Sequence, residues 1–242
     1  MYEKLKDFQL TIVAIIIGIA LIICSNYAAD AIKREGVGVT GSAFKVVKSD
    51  VAILNLDIKA QNISKAAAYN KIRSQLPELK DYLISQGIKE NEITIMPADS
   101  YPNYKINPQN GYTTNIVEFY NFNQTIQIKT NNVETVKILS TAAQSLLDKG
   151  IDLTVNPPEY YCSELNDIKV QLLKEATIDA KQRAAGMLSA TNNKVGKIQS
   201  VKMGVFQVTP VDSTMVSDLG ISDTSSIDKK ITAVANVVFS IK

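Results

Sequence analysis

The chain contains no histidine and no tryptophan, and its only cysteines are Cys24 and Cys162. The missing histidine excludes Ser-His-Asp catalysis, Cys-His catalysis and every histidine-ligated metal site within the chain. Two cysteines are too few for a disulfide framework or a zinc cluster. Function must therefore rest on carboxylates, amines, phenols and hydroxyls, or on surface contacts.

A charge excess of either sign is also missing. The 242 residues carry 26 basic and 24 acidic side chains, a formal net charge of +2. Nucleic-acid-binding proteins usually show a basic excess or a basic stripe, and this sequence has neither. We therefore predict no nucleic-acid partner. The length suits one large domain or two small ones.

A long uncharged run is present near the amino terminus. Residues 8–29 hold no charged side chain, and a run of 22 residues can cross a bilayer as an α-helix. We predict a transmembrane anchor over residues 8–29, between a short tail (residues 1–7) and a joint (residues 30–35). The alternative is a secretory signal peptide, because Ala29-Asp30-Ala31 weakly resembles a cleavage site. A lipoprotein signal at Cys24 is disfavoured because the preceding residue, Ile23, is large.

Flanking charge hardly orients this segment. Lys4 and Lys6 precede it, and Lys33 and Arg34 follow it. The positive-inside rule compares such flanks, which are nearly equal here.

Beyond residue 36, segments with the apolar spacing of strands alternate with segments with the apolar spacing of helices. Val51 to Ala60 has apolar residues at every second position, as in a half-buried strand. Helical stripes cover residues 69–83, 133–149 and 163–192, and Pro77 predicts a kink or break in the first. Further strands are predicted at residues 36–47, 93–98, 116–130, 151–162, 195–211 and 231–241. This order indicates an α+β fold over residues 36–242, with an antiparallel-rich mixed sheet and three helices.

The segment Gly36-Val37-Gly38-Val39-Thr40-Gly41 matches the string of a dinucleotide-binding loop. That loop requires a preceding strand and a following helix. Here the joint precedes it and a β-rich run follows, so we interpret it as a glycine-containing first strand and predict no cofactor.

The helix predicted from Ser163 to Asn192 has an apolar face on which alanines replace leucines toward its end. Ala176, Ala180 and Ala184 follow one another at intervals of four. Small side chains let a helix lie close to another surface, here most simply a sheet. Ser163 is the candidate N-cap, and Leu165 and Met187 belong to the predicted buried face.

The region from residue 101 to 120 is rich in aromatic residues, and Asn110-Gly111 within it is a turn signal. We interpret residues 101–115 as the end of a long hairpin, with a ligand-binding loop as the alternative. The candidate interaction surface consists of Tyr101, Tyr104, Tyr112, Phe119 and Tyr120.

The sequence offers only weak candidates for an active site. The pairs Glu118 with Tyr120 and Asp179 with Arg183 are more simply explained as surface charges, and Asp179 with Arg183 has the spacing of a helical ion pair. The acids between Asp212 and Asp228 do not follow calcium-loop spacing, which favours a flexible solvated loop. We predict no enzyme, with no catalytic residues and no metal site.

Several short motifs occur in the order and spacing of a known family. Val37-x-Val39-x-Gly41 is followed by Ser49-Asp50-x-Ala52, where Ser49 replaces a proline. Further motifs are Leu83-x-x-x-Gly87-Ile88, Ile93-Thr94, Pro102-x-Tyr104, the alanine helix, and Val195-Gly196-Lys197-Ile198. Phe119-Tyr120 stands where that family commonly has Gly-Tyr. In these motifs the chain resembles the SIMPL domain family, the YggE-type bacterial envelope proteins linked with oxidative-stress defence.

The resemblance implies an α+β domain outside the inner membrane, anchored or secreted to the periplasm, that tends to self-associate. It supplies no catalytic residues. We predict a membrane-anchored, self-assembling structural or interaction module with an envelope protein partner, possessing a role in oxidative or envelope stress defence. The alternative is a periplasmic module that binds a ligand or peptide through the tyrosine-rich region.

Strand edges give a separate reason to expect a homo-oligomer. Unpaired backbone groups at a sheet edge must be blocked or paired, and Ile231 to Ile241 contains no lysine to block pairing. We predict a closed symmetric assembly that uses residues 116–130 and the final strand.

Overall fold

The computed structural model describes Val13 and residues 15–26 and 36–242. It contains four helices: α1 (residues 15–26), α2 (Lys65–Ser85), α3 (Val133–Ala142) and α4 (Leu165–Ser189). The strands are β1 (Gly36–Lys48), β2 (Val51–Asn62), β3 (Ile93–Ile95), β4 (Asp99–Ile106), β5 (Thr113–Thr130), β6 (Leu153–Val155), β7 (Glu159–Tyr161), β8 (Val195–Met203), β9 (Gln207–Pro210), β10 (Ile221–Ser222) and β11 (Asp228–Ile241).

The α+β class, the antiparallel character and the three helices after residue 36 are confirmed. The strands form two sheets, however, where one was predicted. Among the described helices, none has both the length and the hydropathy needed to cross a membrane. Part of the predicted anchor, residues 8–12, 14 and 27–29, lies outside the described residues.

The chain forms two compact units. The first contains described residues up to Ala43 together with Leu173–Gly204 and Val234–Lys242. The second contains Phe44–Leu172 and Val205–Ala233. Three of the four boundaries fall inside β1, α4 and β11, so each of these elements contributes to both units. The fourth, after Gly204, lies between β8 and β9.

The second unit is built on a six-stranded sheet with the order β3-β5-β2-β6, in which β4 also pairs with β5 and β7 with β2. The antiparallel register of β2 and β5 runs from Ala52 opposite Thr130 to Asn62 opposite Tyr120. The alternation predicted for β2 is confirmed, because Ala52, Leu54, Leu56 and Ile58 are fully buried. They form one core with buried residues of α2 and α3.

The opposite face of this sheet is polar and internally hydrogen-bonded. Asp57 accepts hydrogen bonds from Thr125 Oγ1 at 2.5 Å and from Asn156 Nδ2 at 2.8 Å. Asn55 accepts one from Gln127 Nε2 at 3.1 Å. Buried apolar residues on one face and paired polar residues on the other explain the period of two in β2. In the same unit, β9 pairs antiparallel with the start of β11 and parallel with β10.

The first unit packs α4 against strands through small residues. Ala176, Ala180 and Ala184 are fully buried with Ala235, Val237 and Phe239 of β11. A Cβ placed on Gly41 of β1 would lie 2.1 Å from the Ala176 carbonyl oxygen and 2.4 Å from the Ala180 nitrogen. The expected close approach of the alanine face to a strand is therefore confirmed.

Several local predictions need correction. Met187 is 58% exposed. The helix α4 begins at Leu165, so Ser163 lies one residue before the N-cap position, and its backbone N–H and hydroxyl both donate to Asp50. Of the kink or break predicted at Pro77, the break is wrong, because α2 is continuous from Lys65 to Ser85. The helix predicted over residues 133–149 is α-helical to Ala142 and becomes a 3-10 helix over Ala143–Lys149.

Candidate functional site

A two-stranded ribbon extends beyond the six-stranded sheet. Pairing between β2 and β5 stops at Asn62 and Tyr120, whereas β5 begins at Thr113. Residues 113–119 of β5 therefore have β4 on one side, and no described strand pairs with them on the other. We call β4, the turn at residues 107–112 and residues 113–119 the hairpin arm.

Asparagine side chains organise the turn of the hairpin arm. The backbone N–H of Gln109 donates to Asn107 Oδ1 at 2.9 Å, and that of Tyr112 donates to Asn110 Oδ1 at 3.0 Å. Gly111 has a φ of 71°, a left-handed conformation that glycine adopts without strain. The turn predicted at Asn110-Gly111 is confirmed, and its hydrogen bonds define the end of the arm.

The five aromatic residues of the candidate surface all lie on the arm or at its base, but not on one face. Tyr101 pairs with Asn121 and Asn103 with Phe119, which puts Tyr101 and Phe119 on the same face. Tyr120 faces the other way, opposite Pro102. Tyr104 lies opposite Val117 between two register shifts, and Tyr112 lies at the turn.

These aromatic residues also differ in solvent exposure. Tyr112 is 74% exposed, Tyr101 56% and Tyr104 40%, whereas Phe119 and Tyr120 are half-buried. Two isoleucines that the sequence did not single out, Ile106 and Ile116, are 66% and 61% exposed on the same arm. The arm thus presents large apolar side chains to solvent on two adjacent strands, a pattern typical of interaction surfaces.

The two edges of the hairpin arm differ in protection. The outer edge belongs to β4, which contains Pro102 and Lys105, residues that discourage further strand pairing. The edge formed by residues 113–119 of β5 contains neither proline nor lysine. This second edge is the less protected place for an added strand.

The other strand named for assembly, β11, is not free at its carboxyl end. Residues 235–241 pair with β8, and β11 also neighbours β1 in the first unit. The expectation that the final strand offers an edge is therefore wrong for this part of it. Its low lysine content reflects a central position in which both sides are paired.

Carboxylates with lowered pKa values have structural partners. A hydroxyl and a backbone hydrogen bond from Ser163 lower the pKa of Asp50. A backbone hydrogen bond from Ser42 and the Arg183 guanidinium lower the pKa of Asp179; Ser42 N and Arg183 Nε each lie 2.8 Å from its Oδ2. The predicted Asp179–Arg183 ion pair is thus formed, and Asp179 also joins α4 to β1.

A buried ion pair lies between β10 and β11. The Lys229 side chain is 3% exposed and its Nζ lies 3.3 Å from Asp223 Oδ2 and 2.7 Å from the Asp223 carbonyl oxygen. Burial alone would raise the pKa of Asp223, but hydrogen bonds from Ser226 and Ser225 and the charge of Lys229 lower it well below its ordinary value. In the sequence, Asp223-x-Ser225-Ser226 is a turn motif that indicates these hydrogen bonds. The interpretation of residues 212–228 as a flexible loop did not use it.

An open groove of about 750 Å³ lies beside α3. Glu134 and Lys137 of α3, Tyr160, Asp212 and Asp228 contribute to its lining. Burial and the nearby Glu134 charge raise the pKa of the Tyr160 phenol. Glu134 also pairs with Lys48, 3.1 Å away, so the groove holds surface charges that are already partly neutralised.

The second cysteine occupies a joint between two elements. Cys162 lies between β7 and α4, is partly exposed, and accepts a hydrogen bond at its carbonyl oxygen from Leu165 N at 3.3 Å. Among the described residues, no group of three or more acids or cysteines could hold a metal ion.

Comparison with protein-family models gives one match, over residues 37–239. The family is SIMPL, described as a protein of unknown function (DUF541). The chain belongs to the SIMPL family. The match runs from β1 to β11, so the second compact unit and the hairpin arm lie within the SIMPL domain, whereas α1 of the first unit lies outside it. A search of curated proteins found no match.

Proposed function

We propose that this SIMPL protein is a membrane-anchored interaction module of the cell envelope that self-assembles through its hairpin arm. It acts by contact with copies of itself and with an envelope partner, and not by catalysis. The observation that carries the proposal is the less protected edge of β5 at residues 113–119, flanked by exposed apolar side chains.

The edge supports assembly because its backbone groups are available for pairing. Seven residues of β5 extend beyond the end of β2. The same residues of a second copy could pair antiparallel with this edge. The backbone N–H and C=O groups of both copies would then be hydrogen-bonded across a two-fold axis. Ile116 and Tyr112 would then lose solvent contact, adding apolar burial to the backbone hydrogen bonds.

The amino-terminal segment supports anchoring. Residues 8–29 are uncharged, and the described apolar side chains of α1 are exposed on all sides, among them Ile16 at 60% and Ile22 at 63%. A helix that is apolar all round needs an apolar environment. Anchoring would confine the SIMPL domains to a plane and raise their effective concentration, which favours weak contacts. Placement of the domain on the periplasmic side, and a role in oxidative or envelope stress defence, rest on the family resemblance.

Assembly is tested by Ile116→Lys in the full-length protein purified in detergent. We expect a larger species for the unaltered chain and at least a tenfold weaker association for the variant, equivalent to about 1.4 kcal/mol. Multi-angle light scattering after size-exclusion chromatography measures the mass over a concentration series.

The matched control is Ile138→Lys, because Ile138 is 65% exposed but belongs to α3 and not to the arm. The control should keep the mass of the unaltered protein. A strictly monomeric unaltered protein, or equal effects of the two lysines, would defeat the assembly proposal.

Anchoring is tested by cell fractionation with amino-terminal sequencing of the mature protein. We expect the protein in the membrane fraction with residues 8–29 retained. A soluble product beginning at Ile32 would instead establish the cleaved, secreted form.

The same edge favours the second candidate function, binding of an extended peptide that adds a strand to β5. Such binding uses main-chain hydrogen bonds for affinity and side-chain pockets for specificity. A monomer that binds extended peptides and loses them on Ile116→Lys would favour this alternative over self-assembly.

A further inference from the structure

Charge is distributed unequally between the two compact units. The described residues of the first unit carry seven lysine or arginine side chains and two acidic ones, Glu175 and Asp179, which gives a formal charge of +5. The second unit carries fifteen basic and eighteen acidic side chains, a formal charge of −3. Because the first unit is assembled from separate segments, the nearly neutral sequence conceals its basic character. A unit with this excess attracts anionic surfaces.

The basic side chains at β8 are exposed and unpaired. In the first unit Arg183 forms an ion pair with Asp179. Lys194, Lys197 and Lys202 are exposed, and none of them forms an ion pair with a described residue. Their charge is therefore available to a partner outside the unit.

The strand β8 also presents apolar side chains to solvent. Ile198, Val201 and Met203 each lie directly opposite a β11 residue that is buried with the alanines of α4, so they point to the same face of the sheet. They are nevertheless 51%, 53% and 55% exposed, respectively. No described strand pairs with the outer edge of β8. We call residues 194–203 the β8 surface.

Protection of a strand edge explains only part of this composition. Lysines on an edge strand discourage pairing with another strand, which accounts for Lys197 and Lys202. Edge protection does not account for the three large apolar side chains beside them. Interleaved lysine and apolar side chains are typical of surfaces that lie in the headgroup region of a bilayer, where the apolar groups are buried and the ammonium groups reach the phosphates.

The β8 surface begins at the end of the sheet that is nearest the proposed anchor along the chain. A Cβ placed on Gly36, the first residue of β1, would lie 3.2 Å from the Phe239 carbonyl oxygen. Three residues further along, Lys242 exchanges two backbone hydrogen bonds with Lys194, each of 2.8 Å. The joint of residues 30–35 can span at most about 20 Å. In an anchored chain this end of the first unit therefore stays near the bilayer.

We propose that the β8 surface binds anionic phospholipid headgroups of the membrane that carries the anchor. The lysine ammonium groups approach the phosphates, and the three apolar side chains enter the interfacial layer. Each lysine close to anionic headgroups strengthens such binding about fivefold. The inference rests on the proposed anchoring of residues 8–29 and not on self-assembly. Binding of this kind would orient the first unit on the membrane surface.

The absence of tryptophan from the chain permits a site-specific fluorescent reporter. Val201→Trp places a single tryptophan on the β8 surface of the full-length protein. The variant is reconstituted in phosphatidylcholine vesicles with or without phosphatidylglycerol, and quenching by brominated phosphatidylcholine reports contact with the bilayer. We expect at least about threefold stronger quenching with phosphatidylglycerol, and loss of the difference in about 1 M salt, which screens the attraction.

Two controls isolate the surface and its charge. Ile178→Trp replaces a side chain of α4 that is 57% exposed in the same unit but outside the β8 surface. Its quenching should be equally weak in both kinds of vesicle. Changing Lys194, Lys197 and Lys202 together to Gln in the Val201→Trp protein should reduce quenching to the level seen without phosphatidylglycerol. Circular dichroism should show that each variant is folded, because all of the replaced side chains are exposed.

Flotation of the vesicles measures anchoring separately from quenching. Protein that floats with neither kind of vesicle would defeat the anchoring proposal and this inference with it. Protein that floats but is quenched equally with and without phosphatidylglycerol would defeat this inference alone. A salt-sensitive blue shift of the Val201→Trp emission in detergent without lipid, growing with protein concentration, would instead assign the β8 surface to the acidic unit of another copy.

Discussion

Replacing Gly41 by alanine tests the close packing of α4 on β1. The added methyl would lie 2.1 Å from the Ala176 carbonyl oxygen, 2.4 Å from the Ala180 nitrogen and 2.8 Å from the Ala180 Cα. All three atoms are backbone, so no rotamer change relieves the overlap. Restoring ordinary van der Waals separation requires β1 and α4 to move apart by about 1 Å.

That movement would loosen the packing of three buried alanines and lengthen the 2.8 Å hydrogen bond from Ser42 N to Asp179. Overpacking typically costs about 1–3 kcal/mol, and we expect about 3 kcal/mol here because the obstruction is backbone. For a chain of this length that corresponds to a fall in melting temperature of about 6–12 °C. Urea and thermal unfolding followed by circular dichroism measure both quantities.

Gly38→Ala provides the control in the same strand, because the nearest atom to its added Cβ would be Val238 Cγ2 at 3.9 Å. It should be neutral or stabilising by up to about 1 kcal/mol, since alanine restricts the unfolded chain more than glycine does. Adding Ala180→Gly to Gly41→Ala should not restore stability, because the obstructing backbone remains. Equal stability of the two alanine variants would refute the packing argument.

Three further outcomes are expected. Asp223 has a folded-state pKa below its ordinary value of 3.8, so the stability it contributes is present above that value and is lost as pH falls through the folded pKa. Asp223→Asn should therefore lower the urea midpoint at neutral pH and flatten its decline below about pH 4. Lys229→Met should cost about 3–5 kcal/mol by removing one partner of a buried pair. In a urea double-mutant cycle, the combined variant should lose less than the sum of the two single changes. Cys162→Ser should change stability by no more than about 0.5 kcal/mol and leave peroxide tolerance of cells unaltered, whereas lost tolerance at normal protein levels would show that the thiol matters.

The parts of the fold with strong periodicity were predictable from sequence. The alternation of Leu54, Leu56 and Ile58 identified β2 and its buried face. The spacing of Ala176, Ala180 and Ala184 identified both the helix and its close contact. In these segments the residues that define the period are those that bury apolar surface, so the pattern and the physical cause coincide.

The strand β4 was missed for the opposite reason. Its residues are largely exposed, and its sequence includes Pro102 and Asn103, so it has no apolar alternation. It is a strand because β5 pairs with it, and pairing between distant segments leaves little trace in local composition. The open edge of residues 113–119 follows from the unequal lengths of β2 and β5, which only the register reveals.

The polar features were the least predictable. The basic residues of the first unit come from segments that are distant in the sequence, and their convergence depends on how α4, β8 and β11 are brought together. The buried Lys229 reads as an ordinary surface lysine until its contact with Asp223 is seen. The aromatic region was correctly placed on a hairpin, but the register of β4 with β5 distributes its residues over both faces.

The position of β11 has a consequence for what slippage of a single strand would expose. Its first half places Ile231 and Ala233 in the second unit, and its second half places Ala235, Val237 and Phe239 in the first. Neither unit buries its full complement of apolar residues until this strand is in place. Loss or slippage of β11 would therefore expose apolar side chains in both units at once.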